Sequence, residues 1–112
     1  MSHAKRIYLI PFLLSLGLIS LRIQDSKKTG VLFAGAGTKG RLERCEIFGH
    51  TTAGDDEGIF IQTGASPTSI SSCTIRDNGV GVFVHASSKG AVPGAETGNT
   101  FARNQMGSVT RG

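Results

Sequence analysis

The sequence predicts an all-β solenoid, and three observations carry that prediction. One short strand recurs as Gly30-Val31-Leu32-Phe33, Gly58-Ile59-Phe60-Ile61 and Gly81-Val82-Phe83-Val84. A landmark follows each copy, at 15, 15 and 18 residues from its glycine: Cys45-Glu46-Ile47, Cys73-Thr74-Ile75 and Asn99-Thr100-Phe101. Five positions beyond each landmark stands a polar turn residue, His50, Asn78 and Asn104. Tandem units of this length cannot bury a face alone, so they stack on one another. Sixteen glycines and no Trp in 112 residues fit strands and turns better than helices.

The chain divides accordingly. Residues 1–23 are an apolar leader and 24–29 a polar linker. Repeats then occupy 30–57, 58–80 and 81–106, and 107–112 begin a fourth. Extra residues fall at Thr51 to Glu57 and within Ser87 to Gly98, both rich in turn-forming or acidic residues, as loops are. Period-two alternation points Val31, Phe33, Ile59, Ile61, Val82 and Val84 inward, and Leu32, Phe60 and Phe83 outward. On the following stretch Leu42, Cys45 and Ile47 match Ile70, Cys73 and Ile75 as a second inward set. Unit three departs from it, with Glu96 in the place of Ile70 while Phe101 keeps its position. Asn78 and Asn104 repeat at a turn, where an amide can bond both its own turn and the neighbouring rung.

The leader has a basic start, Met1 to Arg6, and an apolar run from Ile7 to Leu21 interrupted by Pro11. A secretory signal has this order, although no Ala-x-Ala-like triplet follows. A membrane anchor of ~20 residues would need Ile23 as well, and membrane contact is expected only through 7–23. These readings place the protein outside the cell or on a membrane. An apolar leader that is a gene-model artefact would leave it intracellular.

The net charge of +4 comes from twelve basic and eight acidic residues. Lys5, Arg6 and Arg22 precede residue 24, so the remainder carries nine basic against eight acidic residues. A surface that tracks phosphates needs clustered, uncompensated cations, and nucleic acid is not an expected partner. Cys45 and Cys73 hold the same place in successive units and read as buried free thiols. A lone His50 without companions at motif spacing is no metal site. No cofactor is expected.

Glycine-strand, turn, Cys/Asn-x-Ile, turn, Asn is the pattern of right-handed parallel β-helix repeats. Gly58-Ile-Phe-Ile-Gln-Thr-Gly-Ala-Ser-Pro-Thr68, preceded by Cys45-Glu-Ile-Phe-Gly-His50, resembles the β-helix of F-box-only proteins. The resemblance covers residues 30 to 112, about three rungs, and no F-box accompanies it. It implies a non-catalytic repeat that recognises a protein or glycan on a lateral face, as part of a longer solenoid. The outward column Leu32, Phe60 and Phe83, flanked by Gln62 and His85, is the expected binding strip, because stacked apolar side chains make a contiguous patch. Open solenoid ends are unpaired edges that favour self-association. The alternative is a polysaccharide-active enzyme or a degenerate piece of one: Gly54-Asp55-Asp56 is similar to the Gly-Asp-Asp motif of polygalacturonases, and paired carboxylates can divide acid and base roles. The other motifs of that family are missing, with Gly79-Val80-Gly81 where Gly-His-Gly would stand. Asp55, Asp56 and Glu57 therefore read as a solvated acidic loop, and no residue is assigned a catalytic role.

Overall fold

A computed structural model describes residues 2–4, 7–9, 16–19, 21–24, 29–36, 38–50, 56–67, 69–88, 90–92 and 94–112, with side chains from Arg22 onwards. The described residues form thirteen short strands and no α-helix. In chain order these are β1 (Ser2–Ala4), β2 (Ile7–Leu9), β3 (Leu16–Ile19), β4 (Leu21–Gln24), β5 (Val31–Ala34), β6 (Gly40–Glu43), β7 (Glu46–Phe48), β8 (Glu57–Gln62), β9 (Ser69–Ser71), β10 (Thr74–Arg76), β11 (Val80–Val84), β12 (Thr100–Ala102) and β13 (Val109–Arg111). A single 3₁₀ turn, Ala86–Ser88, follows β11.

All strand pairing among the described residues is parallel. Sheet A runs β1-β4-β7-β10-β12, sheet B runs β2-β5-β8-β11-β13, and sheet C holds β3-β6-β9. Each unit thus sends one strand to each sheet in turn, until unit three omits the strand for sheet C. The apolar stretch expected as a leader carries strands in all three sheets. Ile7 pairs with Val31, Leu18 with Leu42, and Ile23 with Ile47. No helix among the described residues is long and apolar enough to cross a membrane.

The predicted alternation holds across sheet B. Val31, Ile59 and Val82 stand in register, as do Phe33, Ile61 and Val84, and all six are fully buried. Sheet A contributes the column Ile23, Ile47 and Ile75, also fully buried, with Phe101 packed against its end. Leu42 and Ile70 close the cluster from sheet C. Each such side chain is worth ~1.5–3 kcal/mol of burial. The second inward stretch is in fact two strands with a corner between them. Cys45 and Cys73 occupy that corner as buried thiols, donating weakly to Glu43 O (3.5 Å) and Ser71 O (3.4 Å). A hydrogen bond with Cys45, reinforced by burial, pushes the Cys73 thiol far up from its ordinary value and holds it protonated.

The corner after sheet A shows why the repeat has its two landmarks. Gly49, Asp77 and Arg103 take positive φ (79°, 56° and 54°), which bends each chain sharply. His50, Asn78 and Asn104 follow directly and stack into a ladder. His50 Nε2 lies 3.2 Å from Ile23 O, Asn78 Nδ2 donates to Ile47 O (3.2 Å), and Asn104 Nδ2 donates to Ile75 O (3.0 Å). The backbone N–H of His50 donates to Asn78 Oδ1, and that of Asn78 to Asn104 Oδ1, both at 3.2 Å. The strand-starting glycines lie against these side chains. A Cβ on Gly58 would come within 2.8 Å of both Asn78 Nδ2 and Gly81 O, and one on Gly30 would strike the His50 ring. Glycine and turn residue are two halves of one contact.

Candidate functional site

The outer face of sheet B gathers the expected strip. Leu32, Phe60 and Phe83 stand opposite one another on β5, β8 and β11, with Thr110 continuing the column on β13. All three apolar side chains are half-buried. The Phe60 and Phe83 rings meet edge to face, with centroids 5.3 Å apart and planes at 74°, a geometry worth ~0.5–1.5 kcal/mol beyond area burial. The parallel register dictates this contact, because neighbours on one face of a sheet sit ~4.8 Å apart.

Gln62 and His85 lie where β8 and β11 end, at one border of the strip. Gln62, half-buried, stands in register with Ala34. His85 is exposed, and its backbone N–H donates to Ile61 O (2.8 Å). Its ring is fixed by Ser87, whose N–H donates to Nδ1 (3.1 Å) while Oγ lies 3.0 Å from the same nitrogen. Nδ1 is therefore the acceptor, which assigns the ring proton to Nε2. Ser87 Oγ in turn accepts from the Thr63 N–H (2.8 Å). Sequence reasoning missed Thr63 and Ser87. Periodicity gives no signal for either, since one sits in a turn and the other within the insertion of unit three.

The alternative acidic group is described only in part. Asp55 lies outside the described residues. Asp56 is half-buried before β8, and its carbonyl accepts from the Val80 N–H (3.0 Å). Glu57 opens β8, with its carboxylate accepting from the Thr29 hydroxyl (2.7 Å). Among the described residues no group of three His, Cys, Asp or Glu side chains could hold a metal ion.

The outer face of sheet A has a different character. Arg22 pairs with Glu46 (3.0 Å), Arg76 with Glu46 (3.6 Å) and Asp77 (2.7 Å), and Arg103 with Asp77 (2.7 Å). The Arg22–Glu46 contact is close but misaligned, an ion pair without a formed hydrogen bond between those two atoms. Phe48 lies beneath two guanidinium groups, Arg76 at 4.1 Å and Arg22 at 5.9 Å from its centroid. Hydrogen bonds from Arg103 and then Arg76 hold the Asp77 carboxyl down to about 2. Comparison with protein-family models, with curated proteins and with solved structures found no match for the chain.

Proposed function

We propose that the chain is a right-handed parallel β-helix of recognition type, whose lateral face on sheet B binds a protein or a glycan without catalysing a reaction. The observation that supports this reading is the in-register column Leu32, Phe60 and Phe83 on one outer face, with its edge-to-face ring pair. Ring faces and edges suit a partner's anchoring side chain or the apolar face of a sugar. Gln62 and the Nε2–H of His85 border the column and would fix a ligand's orientation. Strands of successive units that pair in parallel, with a ladder at one corner, support the β-helix reading.

The test is Phe60→Ser combined with Phe83→Ser, screened beside the native chain against immobilised glycans and a peptide library. A ligand retained by the native chain and lost by the double variant, with melting temperature lowered by less than ~4 °C, supports a recognition face. A collapse of the melting transition instead makes the rings structural and removes the proposal.

A further inference from the structure

The corner between sheets C and A holds two thiols in the same setting, one rung apart. Glu43 pairs with Ser71 before the corner and Glu46 with Thr74 after it, so Cys45 and Cys73 stack in register. The rungs are also tied across the corner, by Arg44 N–H to Ser71 O (3.2 Å) and Thr74 N–H to Cys45 O (2.9 Å). Arg44 and Ser72, which precede the cysteines, both take positive φ (52° and 55°). Each thiol then lies against the carbonyl two residues back, at 3.5 and 3.4 Å. Corners built alike aim their sulfurs alike, and a hydrogen bond joins the two side chains. Both cysteines are buried, at 2% and 1% exposure, each directly after an exposed residue.

Spacing decides what such a pair can hold. In-register neighbours on parallel strands stand ~4.8 Å apart with their side chains pointing the same way. A disulfide needs Cβ atoms ~3.8 Å apart and converging, which stacked corners do not offer. Two metal–sulfur bonds of ~2.3 Å in line span ~4.6 Å, which they do. Thiolate ligands select soft ions such as Cu(I). A structural Zn(II) site takes four ligands, and among the described residues no third His, Cys, Asp or Glu joins the pair. The hydrogen bond with Cys45, then burial, keeps Cys73 protonated, while hydrogen bonds from the Cys45 and Ser71 backbone act in the other direction, towards the thiolate.

We propose that Cys45 and Cys73 form a two-coordinate site for a soft monovalent cation of the Cu(I) class, which clips unit one to unit two. Two S–H bonds break and two S–Cu bonds form; both protons pass to solvent, and copper enters and stays as Cu(I) with no electron transferred. The site lies inside the corner, apart from the outer strip of sheet B, and does not rest on that strip binding anything.

The experiment titrates the full chain anaerobically with Cu(I) in competition with bicinchoninate, a Cu(I) chelator, and in parallel with Zn(II). One Cu(I) per chain is expected, with a thiolate-to-copper charge-transfer band. Saturation should raise the melting temperature by at least ~5 °C, because an ion held by the folded corner stabilises it. Losing a group that only supports a metal ligand costs ~10–100-fold in affinity. Cys45→Ser and Cys73→Ser each lose one ligand of two, so each should bind Cu(I) at least ~100-fold more weakly. Phe60→Ser with Phe83→Ser should bind Cu(I) as the native chain does, which separates this site from the recognition face. The proposal is overturned by the lack of one-to-one binding, by Zn(II) held as tightly as Cu(I), or by an affinity unchanged in either cysteine variant. A melting temperature that falls on adding Cu(I) would also overturn it, by showing that the ion takes the thiols only in the unfolded chain. That last readout needs the native chain alone, and it decides the matter even where a cysteine variant fails to fold.

Discussion

Units two and three begin with the same strand and end on the same ladder residue, yet they close their third side in different ways. Unit two supplies β9 to sheet C and buries Ile70 there. Unit three has Glu96 instead, exposed, and its described residues between 86 and 98 form turns and bends rather than a strand. Buried Ala91, Val92 and Ala95 take over part of the apolar filling. A cleft of about 260 Å³ between Ser69-Ile70-Ser71 and the loop residues Val92, Ala95 and Gly98 lies along the edge of β9 opposite β6. Arg111 pins the loop: it donates to Ala91 O (2.6 Å), Val92 O (2.8 Å) and both Glu96 carboxylate oxygens (2.8 and 3.1 Å). Its position on β13 continues the column Phe33, Ile61 and Val84. The interior that is aliphatic in unit two therefore ends in an ion pair beyond unit three. Two sides and the ladder are indispensable to a unit, while the third side can be exchanged for a pinned loop.

The largest effect expected from this contrast comes from placing the same charge in both units. Ile61→Asp sets a carboxylate between Phe33 and Val84, all fully buried, and should cost about 4 kcal/mol or more. Val84→Asp has Arg111 as its register neighbour, and a guanidinium within reach offsets part of the desolvation. It should be milder by at least ~1 kcal/mol, measured by denaturant unfolding of the full chain. Equal losses would mean that Arg111 does not alter the interior of unit three.

Next in size is the ladder. Asn78→Ala removes the acceptor for the His50 N–H and the donor to Ile47 O, at a fully buried position. About 3 kcal/mol is expected, because the groups left behind stay dry. Asn104→Ala strips the Asn78 N–H and Ile75 O in the same way, but Asn104 is only half-buried. Water can replace it, and ~1 kcal/mol is expected. Equal losses in thermal melts would show that the ladder gains nothing from its interior position.

The repeat, the inward columns of sheet B and the stacked turn residues were legible because each follows from period-two alternation or from a fixed spacing. The pairing of Gly30 with His50 and Gly58 with Asn78 was not, since alternation says nothing about residues twenty positions apart that meet at a corner. The strands β1 to β4 were hidden for another reason. Ile7, Leu9, Leu18 and Ile23 stand in register with Val31, Phe33, Leu42 and Ile47, in a stretch so uniformly apolar that it reads as a leader. Of the candidate strip, Leu32, Phe60 and Phe83 could be placed on one face from sequence. Ser87 could not, because a short 3₁₀ turn within an insertion has no periodicity from which to assign direction.

A smaller effect tests the pin itself. Arg111→Ala removes the hydrogen bonds to Ala91 O, Val92 O and the Glu96 carboxylate and leaves two carbonyls for solvent. Glu96 is half exposed, at 46%, so the ion pair is screened, and a loss of about 1 kcal/mol is expected. Trypsin cleavage after Lys89 should accelerate severalfold in this variant while hydrogen exchange on β8 stays unchanged. Acceleration at both places would mean that unit three cannot open without unit two.

The smallest expected effect lies on the outer surface where the two units join. Asp77 lies near the end of unit two, its N–H donates to Ala102 O (3.0 Å), and its carboxylate takes Arg103 of unit three (2.7 and 3.0 Å) together with Arg76 (2.7 Å). Arg103 is the first cause of its depression to about 2 from an ordinary 3.8, and Arg76 the second. A carboxylate whose folded value is lowered stabilises the fold fully above its unfolded value and loses that contribution as pH falls through the folded one. The joint should therefore be intact above pH ~4 and weaken between ~4 and 2. Both partners are substantially exposed, Arg103 at 66% and Asp77 at 35%, so salt attenuates the pairing. Arg103→Ala should raise the midpoint of the Asp77 carboxylate, followed by NMR titration, towards its ordinary value while leaving the melting temperature at neutral pH within ~2 °C. Arg76→Ala should raise that midpoint less but lower the melting temperature more, because Arg76 also pairs with Glu46 and covers Phe48. A midpoint that stays near 2 in Arg103→Ala would show that the two units are not joined electrostatically at this point.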